Sequence, residues 1–342
     1  MKKKITIYDI AKKLNITAAT VSRALNDNPK ISPKTKELVK ATAENMNYEQ
    51  NRVALALKSG KSNTIGVIVP RIDRDFFATI IKGIEDELHP YGYHIIICQT
   101  YDLKEREIEN ITTLLNAQVD GILMSISNSM TEVSELQRVL NKNVPLIFFD
   151  RKRDMEGVST VTIDDFAGGY KATEHLINIG CKKIAHFTVD RTSEIYKLRF
   201  EGYKQALLDH GLEYNPENVL ELENSYDDGK KAIEKFLMSS NPPDAVFSSS
   251  DYIALGIIQG LRSMGYNVPE DFCVVGFSNE PFTKFMELSI SSVEQFPLEM
   301  GKTTAKVFLE QVRDNNGQVE KKVVLEPKLH IRMSSSKEIN AS

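Results

Sequence analysis

Three kinds of residue scattered through the second part of the chain can hold a small polar molecule. Carboxylates occur at Asp150, Asp164 and Asp251, guanidinium groups at Arg151 and Arg199, an aromatic pair at Phe76-Phe77 and a hydroxyl at Ser278. Carboxylates and guanidinium groups grip hydroxyls in pairs, and an aromatic face stacks on a sugar ring, so the set suits a polyol. Each member has a second use. The aspartates can cap helices, Arg199 can form a surface ion pair, and Phe76 and Phe77 can be core. Sequence patterns for covalent chemistry are missing. No GxGxxG opens a helix after a strand and no GxSxG elbow occurs. His89, His94, His175, His186, His210 and His330 make no HExxH or HxxxH pair. Gly60-Lys61-Ser62 imitates the end of a phosphate loop, but Leu55 stands where its first glycine belongs. The sequence therefore predicts binding without catalysis, cofactor or metal.

These residues sit at the ends of a repeating pattern. Short β-rich apolar runs over 64–70, 94–100, 119–126, 144–150, 184–189, 244–249 and 272–277 alternate with helical patterns over 76–88, 104–116, 166–179, 194–210, 228–238, 252–264 and 298–312. Such alternation predicts parallel sheets joined by right-handed crossovers. Seven units exceed one compact lobe. A division is expected near Ile163-Asp164, with the chain crossing back near 290. Ligands of open parallel sheets bind at the carboxyl ends of strands, where the residues above fall.

The first 60 residues differ in kind. They carry a formal charge of +7, whereas the remainder carries −11. A small basic module on a large acidic body suggests nucleic-acid binding joined to another task. Thr6 can cap a helix with Asp9 three residues on, and Ile7, Ile10, Ala11 and Leu14 form one face of it. Asn15 tolerates the left-handed turn that comes next. Thr17 caps a second helix, Ala18 to Leu25, and Ser32-Pro33 starts a third. Two short helices on a tight turn, braced by a third, predict a helix-turn-helix or a plain three-helix bundle. In the former, Thr17, Ala18, Ser22 and Arg23 occupy the front that enters a major groove.

The chain of 342 residues has no apolar run of the roughly 20 residues that span a bilayer, and its first residues lack the apolar core of a secretory signal. Cys98, Cys181 and Cys273 are odd in number and far apart, as expected of reduced thiols. A cytoplasmic protein is expected.

The strings Thr6-Ile7-Tyr8-Asp9-Ile10-Ala11 and Ala19-Thr20-Val21-Ser22-Arg23-Ala24-Leu25-Asn26 closely resemble the head of the lactose-repressor and galactose-repressor (LacI) family. The resemblance continues through Asn63-Thr64-Ile65-Gly66-Val67-Ile68-Val69-Pro70 and reaches nearly to the C-terminus. It implies an all-α helix-turn-helix head at 1–50, a hinge helix and linker at 51–61, and a two-lobed periplasmic-binding-protein-like α/β body at 62–342. It implies DNA contacts from Thr6, Ile7, Thr17, Ala18, Ala19, Thr20, Ser22, Arg23, Asn26 and Tyr48, with Asn51, Ala54 and Leu57 in the hinge. Leu57 resembles the wedge such proteins push into the minor groove, and Ala54 is small enough for two hinge helices to approach. It also favours Phe77, Asp150, Asp164 and Arg199 as effector contacts, and the strand-end rule adds Phe76, Arg151, Asp251 and Ser278.

The resemblance thus implies a homodimeric, effector-controlled regulator on double-stranded operator DNA, with a carbohydrate in the interlobe cleft. A transporter's solute-binding protein is opposed by the basic head, and a Rossmann-like enzyme by the missing fingerprints. Two departures from the family pattern bear on the effector. Ser278 stands where an aspartate usually comes after the Gly-aromatic pair, and Arg74-Asp75 replaces a common Asn-Pro. With Arg151 and Arg199, this predicts a cleft richer in positive charge and an acidic sugar derivative as effector.

Overall fold

The computed structural model describes residues 5–48, 61–127, 133–239, 242–313 and 320–337. The chain divides into two compact units, Met1–Ser62 and Asn63–Ser342. The hinge residues Asn51, Ala54 and Leu57 lie outside the described residues.

In the first unit, α1 (Ile7–Leu14), α2 (Ala18–Leu25) and α3 (Pro33–Asn45) start and stop where short-range chemistry dictates. The Asp9 carboxylate takes the Thr6 N–H at 2.9 Å and the Thr6 hydroxyl at 2.7 Å, closing the first turn of α1. Asn15 ends α1 in the left-handed region at φ 52°. The Thr17 hydroxyl accepts from Thr20 N–H at 3.1 Å, and the Ser32 hydroxyl from Thr35 N–H at 3.2 Å. Each cap satisfies a donor that the helix leaves unpaired. Ile10, Ala11, Val21, Ala24, Val39 and Ala43 make the core of this unit.

The second unit runs β1 (Thr64–Val69), α4 (Asp75–Leu88), β2 (His94–Gln99), α5 (Lys104–Asn116), β3 (Gly121–Met124), α6 (Val133–Leu140), β4 (Leu146–Phe149) and β5 (Ser159–Ile163). It continues through α7 (Asp165–Asn178), β6 (Ile184–Thr188), α8 (Glu194–Asp209), β7 (Val219–Glu221), α9 (Tyr226–Leu237), β8 (Ala245–Ser248), α10 (Asp251–Ser263), β9 (Cys273–Ser278), α11 (Phe282–Phe285) and β10 (Ser291–Glu294). The last elements are α12 (Pro297–Arg313), β11 (Lys322–Leu325) and β12 (Lys328–His330). They build two six-stranded sheets, ordered β11-β5-β4-β3-β1-β2 and β12-β10-β9-β8-β6-β7. All pairings are parallel except β10 with β12.

The chain leaves the first sheet after Ile163 and returns after β10, when α12 packs on α4. It then crosses a third time, from β11 in the first sheet to β12 in the second, through Glu326-Pro327. The sequence pattern predicts only two crossings. β11 and β12 are edge strands of four and three residues with exposed lysines, too short and too polar for an apolar run to mark them. The strands β7 and β10 and the helices α6 and α11 are also absent from the sequence pattern.

One helix crossing matters for the site. A Cβ on Gly169 of α7 would lie 2.2 Å from the Arg199 carbonyl, and one on Gly202 of α8 would lie 2.1 Å from the Phe166 carbonyl. Neither backbone can yield, so two glycines allow α7 and α8 the approach that brings Arg199 to Asp165.

Candidate functional site

On the head, the side chains of Thr17, Ala19, Arg23 and Asn26 lie exposed along and beside α2. Ser22 and Thr20 are half-buried, and Thr20 shares its hydroxyl with Thr17 at 2.9 Å. The Asn26 amide nitrogen is already committed to the Ser22 carbonyl at 2.7 Å. Ala18, Ile7 and Tyr48 are half-buried and pack one side against the head core, while Ala19 and Arg23 are exposed. Thr6 is exposed but holds Asp9. Lys12, Lys13, Lys30 and Lys34 are exposed on the same unit, as phosphate contacts require.

In the body, a cavity of about 540 Å³ is lined by residues that come one or two positions after β1, β2, β4, β6, β8 and β10, together with the last residue of β9, from both lobes. Phe76, Phe77, Asp150, Arg151, Arg199 and Ser278 all line it. Asp150 sits in the left-handed region at φ 60°, a conformation unusual for a non-glycine residue and often kept at binding sites. Its buried carboxylate accepts from the Ser125 hydroxyl at 3.0 Å, and burial holds it above the ordinary aspartate range against the pull of Arg151 and Arg199. Arg151 pairs with Asp102. Arg199 is only 3% exposed. Its guanidinium donates to Asp165 at 2.7 Å, the Ser249 carbonyl at 3.0 Å and Gln295 at 3.2 Å, and stacks 3.7 Å from the Phe277 ring. Gln295 in turn donates to the Ser278 hydroxyl at 2.9 Å.

Asp164 and Asp251 do not line this cavity. Asp164 caps α7 by accepting from Ala167 N–H at 2.8 Å. Asp251 is fully buried in the second lobe, where it accepts from the Glu280 N–H at 2.8 Å and the Ser292 hydroxyl at 2.6 Å. A Cβ on Gly276 would stand 2.1 Å from its carboxylate, so the glycine of the Gly276-Phe277 pair makes room for Asp251. Burial pushes Asp251 up to about 6.

The lining also includes Arg71, Arg74, Tyr101, Asp102, Glu223, Asn224, Tyr252 and Glu280, which sequence reasoning missed as contacts or, for Arg74, read only as a departure. Tyr101-Asp102 comes after a strand and was open to the same rule that found Asp150. Glu280 was not. Ser278 and Asn279 both have positive φ, 114° and 52°, and Asn279 turns away to meet Arg332. That twist brings Glu280 onto the cavity wall. Burial, then Asp251 and Asp75, push Glu280 up to about 7, with Arg74 opposing. Four arginines therefore face Asp102, Asp150, Glu223 and Glu280, and the lining is formally neutral. The positive excess expected from the sequence is not present.

Residues 6–51 match the model described as bacterial regulatory proteins, lacI family, and residues 62–332 match periplasmic binding proteins and sugar binding domain of LacI family. This chain belongs to the LacI family of transcriptional regulators. Catabolite control protein A of Priestia megaterium is 33% identical over 305 residues, covering 89% of this chain and 91% of that protein. The HTH-type transcriptional regulator DegA of Bacillus subtilis (strain 168) is 32% identical over 337 residues, covering 97% and 98%. Among solved structures, a LacI-family transcriptional regulator from Enterococcus faecium with bound ribose aligns at TM-score 0.72 and 27% identity, over 80% of this chain and 98% of that one. As a LacI-family member, the protein is a DNA-binding transcriptional regulator with a helix-turn-helix head and a periplasmic-binding-protein-like body. Among the described residues, no helix is long and apolar enough to cross a membrane, and no group of three metal-ligating side chains occurs.

Proposed function

We propose that this LacI-family regulator represses transcription as a homodimer, and that a carbohydrate in the body cavity controls its affinity for operator DNA. The observation that carries the effector reading is the cavity itself. Buried Asp150 and Arg199, half-buried Arg151 and Ser278, and the Phe76-Phe77 pair converge on one space from strands of two sheets. The ribose-bound relative from Enterococcus faecium shares this fold. On the head, Ala19 and Arg23 are the side chains best placed to meet base edges and phosphates, with Thr17 and Asn26 flanking them.

The dimer reading rests on β2. This edge strand leaves Ile96 and Ile97 39% and 46% exposed, with exposed Tyr101 and Leu103 just beyond its end. Ile72, also exposed, is held to Gln99 of β2 by a 2.9 Å hydrogen bond. An uncovered apolar edge of this kind pairs readily with another chain, and a second copy is the simplest cover.

The test is selection of the full-length chain against random DNA, then release of the selected duplex by candidate sugars. A near-palindromic consensus, a dimer by light scattering and release by a sugar are expected. Failure to enrich any sequence would remove the regulator's proposed mode of action. Release by no carbohydrate, from a chain that still enriches one, would remove the effector reading alone.

A further inference from the structure

Three of the four guanidinium groups in the cavity are already matched. Arg71 pairs with Asp73 at 2.7 Å, Arg151 with Asp102 and Arg199 with Asp165 at 2.7 Å. Arg74 is held differently, 4.0 Å over the Tyr252 ring and within 3.4 Å of the Asn224 carbonyl. Asp150 also has the Arg151 Nε within 4.0 Å, so after these pairs are removed the lining retains one cation, Arg74, against Glu223 and Glu280. The uncompensated charge is negative, opposite to what the residue types suggest before pairing is considered.

Glu280 is the more exacting of the two. It is only 6% exposed, yet among the described residues its carboxylate makes no hydrogen bond or ion pair. Its backbone is fixed instead. The N–H donates to Asp251 at 2.8 Å, and the carbonyl accepts from the Thr283 hydroxyl at 2.7 Å. A buried carboxylate without a partner is costly, and a cation placed against it gains more than a neutral hydroxyl would. The charged and titratable groups that face it are Arg74 and Asp75 from α4 and Asp251 from α10, and behind Asp251 stand Arg332 and Glu294. Burial and the two aspartates strain its ionised form, which is the condition that a ligand cation relieves.

We infer that the effector is an amine-bearing sugar whose ammonium group is recognised by Glu280, which makes Glu280 the specificity-determining residue of the cleft. The inference rests on the carbohydrate-effector reading and narrows it. Asp150, on the opposite lobe, accepts ring hydroxyls, and Arg74 stays parked on Tyr252, clear of the ammonium. Acidic sugars are disfavoured because three of the four cavity guanidinium groups are ion-paired and Arg74 lies over the Tyr252 ring.

The test uses the full chain and thermal unfolding near neutral pH. The probes are millimolar glucosamine, galactosamine and mannosamine, beside the parent hexoses, the N-acetyl derivatives, glucuronate and a glucose phosphate. At least one free amine should raise the melting temperature, and its N-acetyl derivative should not. E280Q should weaken that amine by about tenfold or more, the scale of a lost charge-assisted contact. E280D, which keeps the charge, should retain part of the shift and guards against a folding defect. The proposal is overturned if no free amine stabilises the wild type, if neutral or acidic sugars stabilise it better, or if E280Q binds the amine as well as the wild type does. A neutral or acidic sugar that stabilises the chain leaves the carbohydrate-effector reading intact. No response to any sugar counts against both.

Discussion

The head and the body solve the same problem, holding side chains toward a ligand, over very different stretches of chain. In the head, the bonds that shape α2 join neighbours: Thr17 to Thr20, and Ser22 to Asn26. In the body, Arg199 alone reaches partners 34, 50 and 96 positions away. A local site is written in a short string and tolerates change elsewhere. A long-range site depends on the whole lobe being folded, and its charges cannot be counted until their partners are known.

The comparison breaks most sharply at Arg199. R199M leaves Asp165 buried without its counter-charge, and removing one partner of such a pair costs about 3–5 kcal/mol. The body should lose that much in urea unfolding while the head keeps its nonspecific DNA affinity. Equal losses in both units would show that they are not independent.

Next in size is pH dependence at Glu280. Its folded pKa of about 7 lies above the ordinary value of 4.5, so the folded state holds a proton that the unfolded state releases. Stability from this group is present below about pH 4.5 and is lost as pH rises through about 7. At roughly 1.4 kcal/mol per pH unit, the loss is about 3–4 kcal/mol. E280Q should flatten this part of the stability profile. Asp251, also raised, should keep its own loss of stability between about pH 4 and about pH 6. An unchanged slope in E280Q would exclude Glu280 as its source.

A smaller effect separates the head. Thr17→Ala removes the cap of α2 and should cost about 1 kcal/mol, confined to the head, since the lost bond spans one helical turn. Differential melting of the two units would detect it. The smallest change in stability, within about 0.5 kcal/mol, is expected for Ala19→Ser on the exposed face of α2. Its effect should appear in the DNA sequence selected. The same substitution at Ala18 should disturb the head core before it alters base preference. If Ala18→Ser alone shifts the selected sequence, the assignment of the reading face is wrong.

Legibility followed contact range. α1, α2 and α3 were readable to the residue at their starts, because Thr6, Thr17 and Ser32 are caps with mechanisms that act within one turn. The alternating strands and helices of the body were readable from apolar runs, and so was the strand-end rule that found Asp150, Arg151 and Arg199. That rule overreached at Asp164 and Asp251, which also come after strands but cap a helix or brace a lobe. Residue type alone does not separate these uses. Glu280 was out of reach, since two consecutive positive-φ residues, Ser278 and Asn279, decide which way it turns.

By itself, the sequence determined the family, the division into a basic head and an acidic two-lobed body, and most elements of each. Caps, apolar periodicity and net charge act locally or sum without regard to geometry. Only the tertiary structure decided which charges meet. Ion pairs form between residues far apart in sequence, and a cavity's potential depends on the charges those pairs leave over. Arg74, Arg151 and Arg199, with Ser278 in place of an aspartate, read as a site for an anion. Once folded, the cavity lining leaves two carboxylates, Glu223 and Glu280, facing one guanidinium.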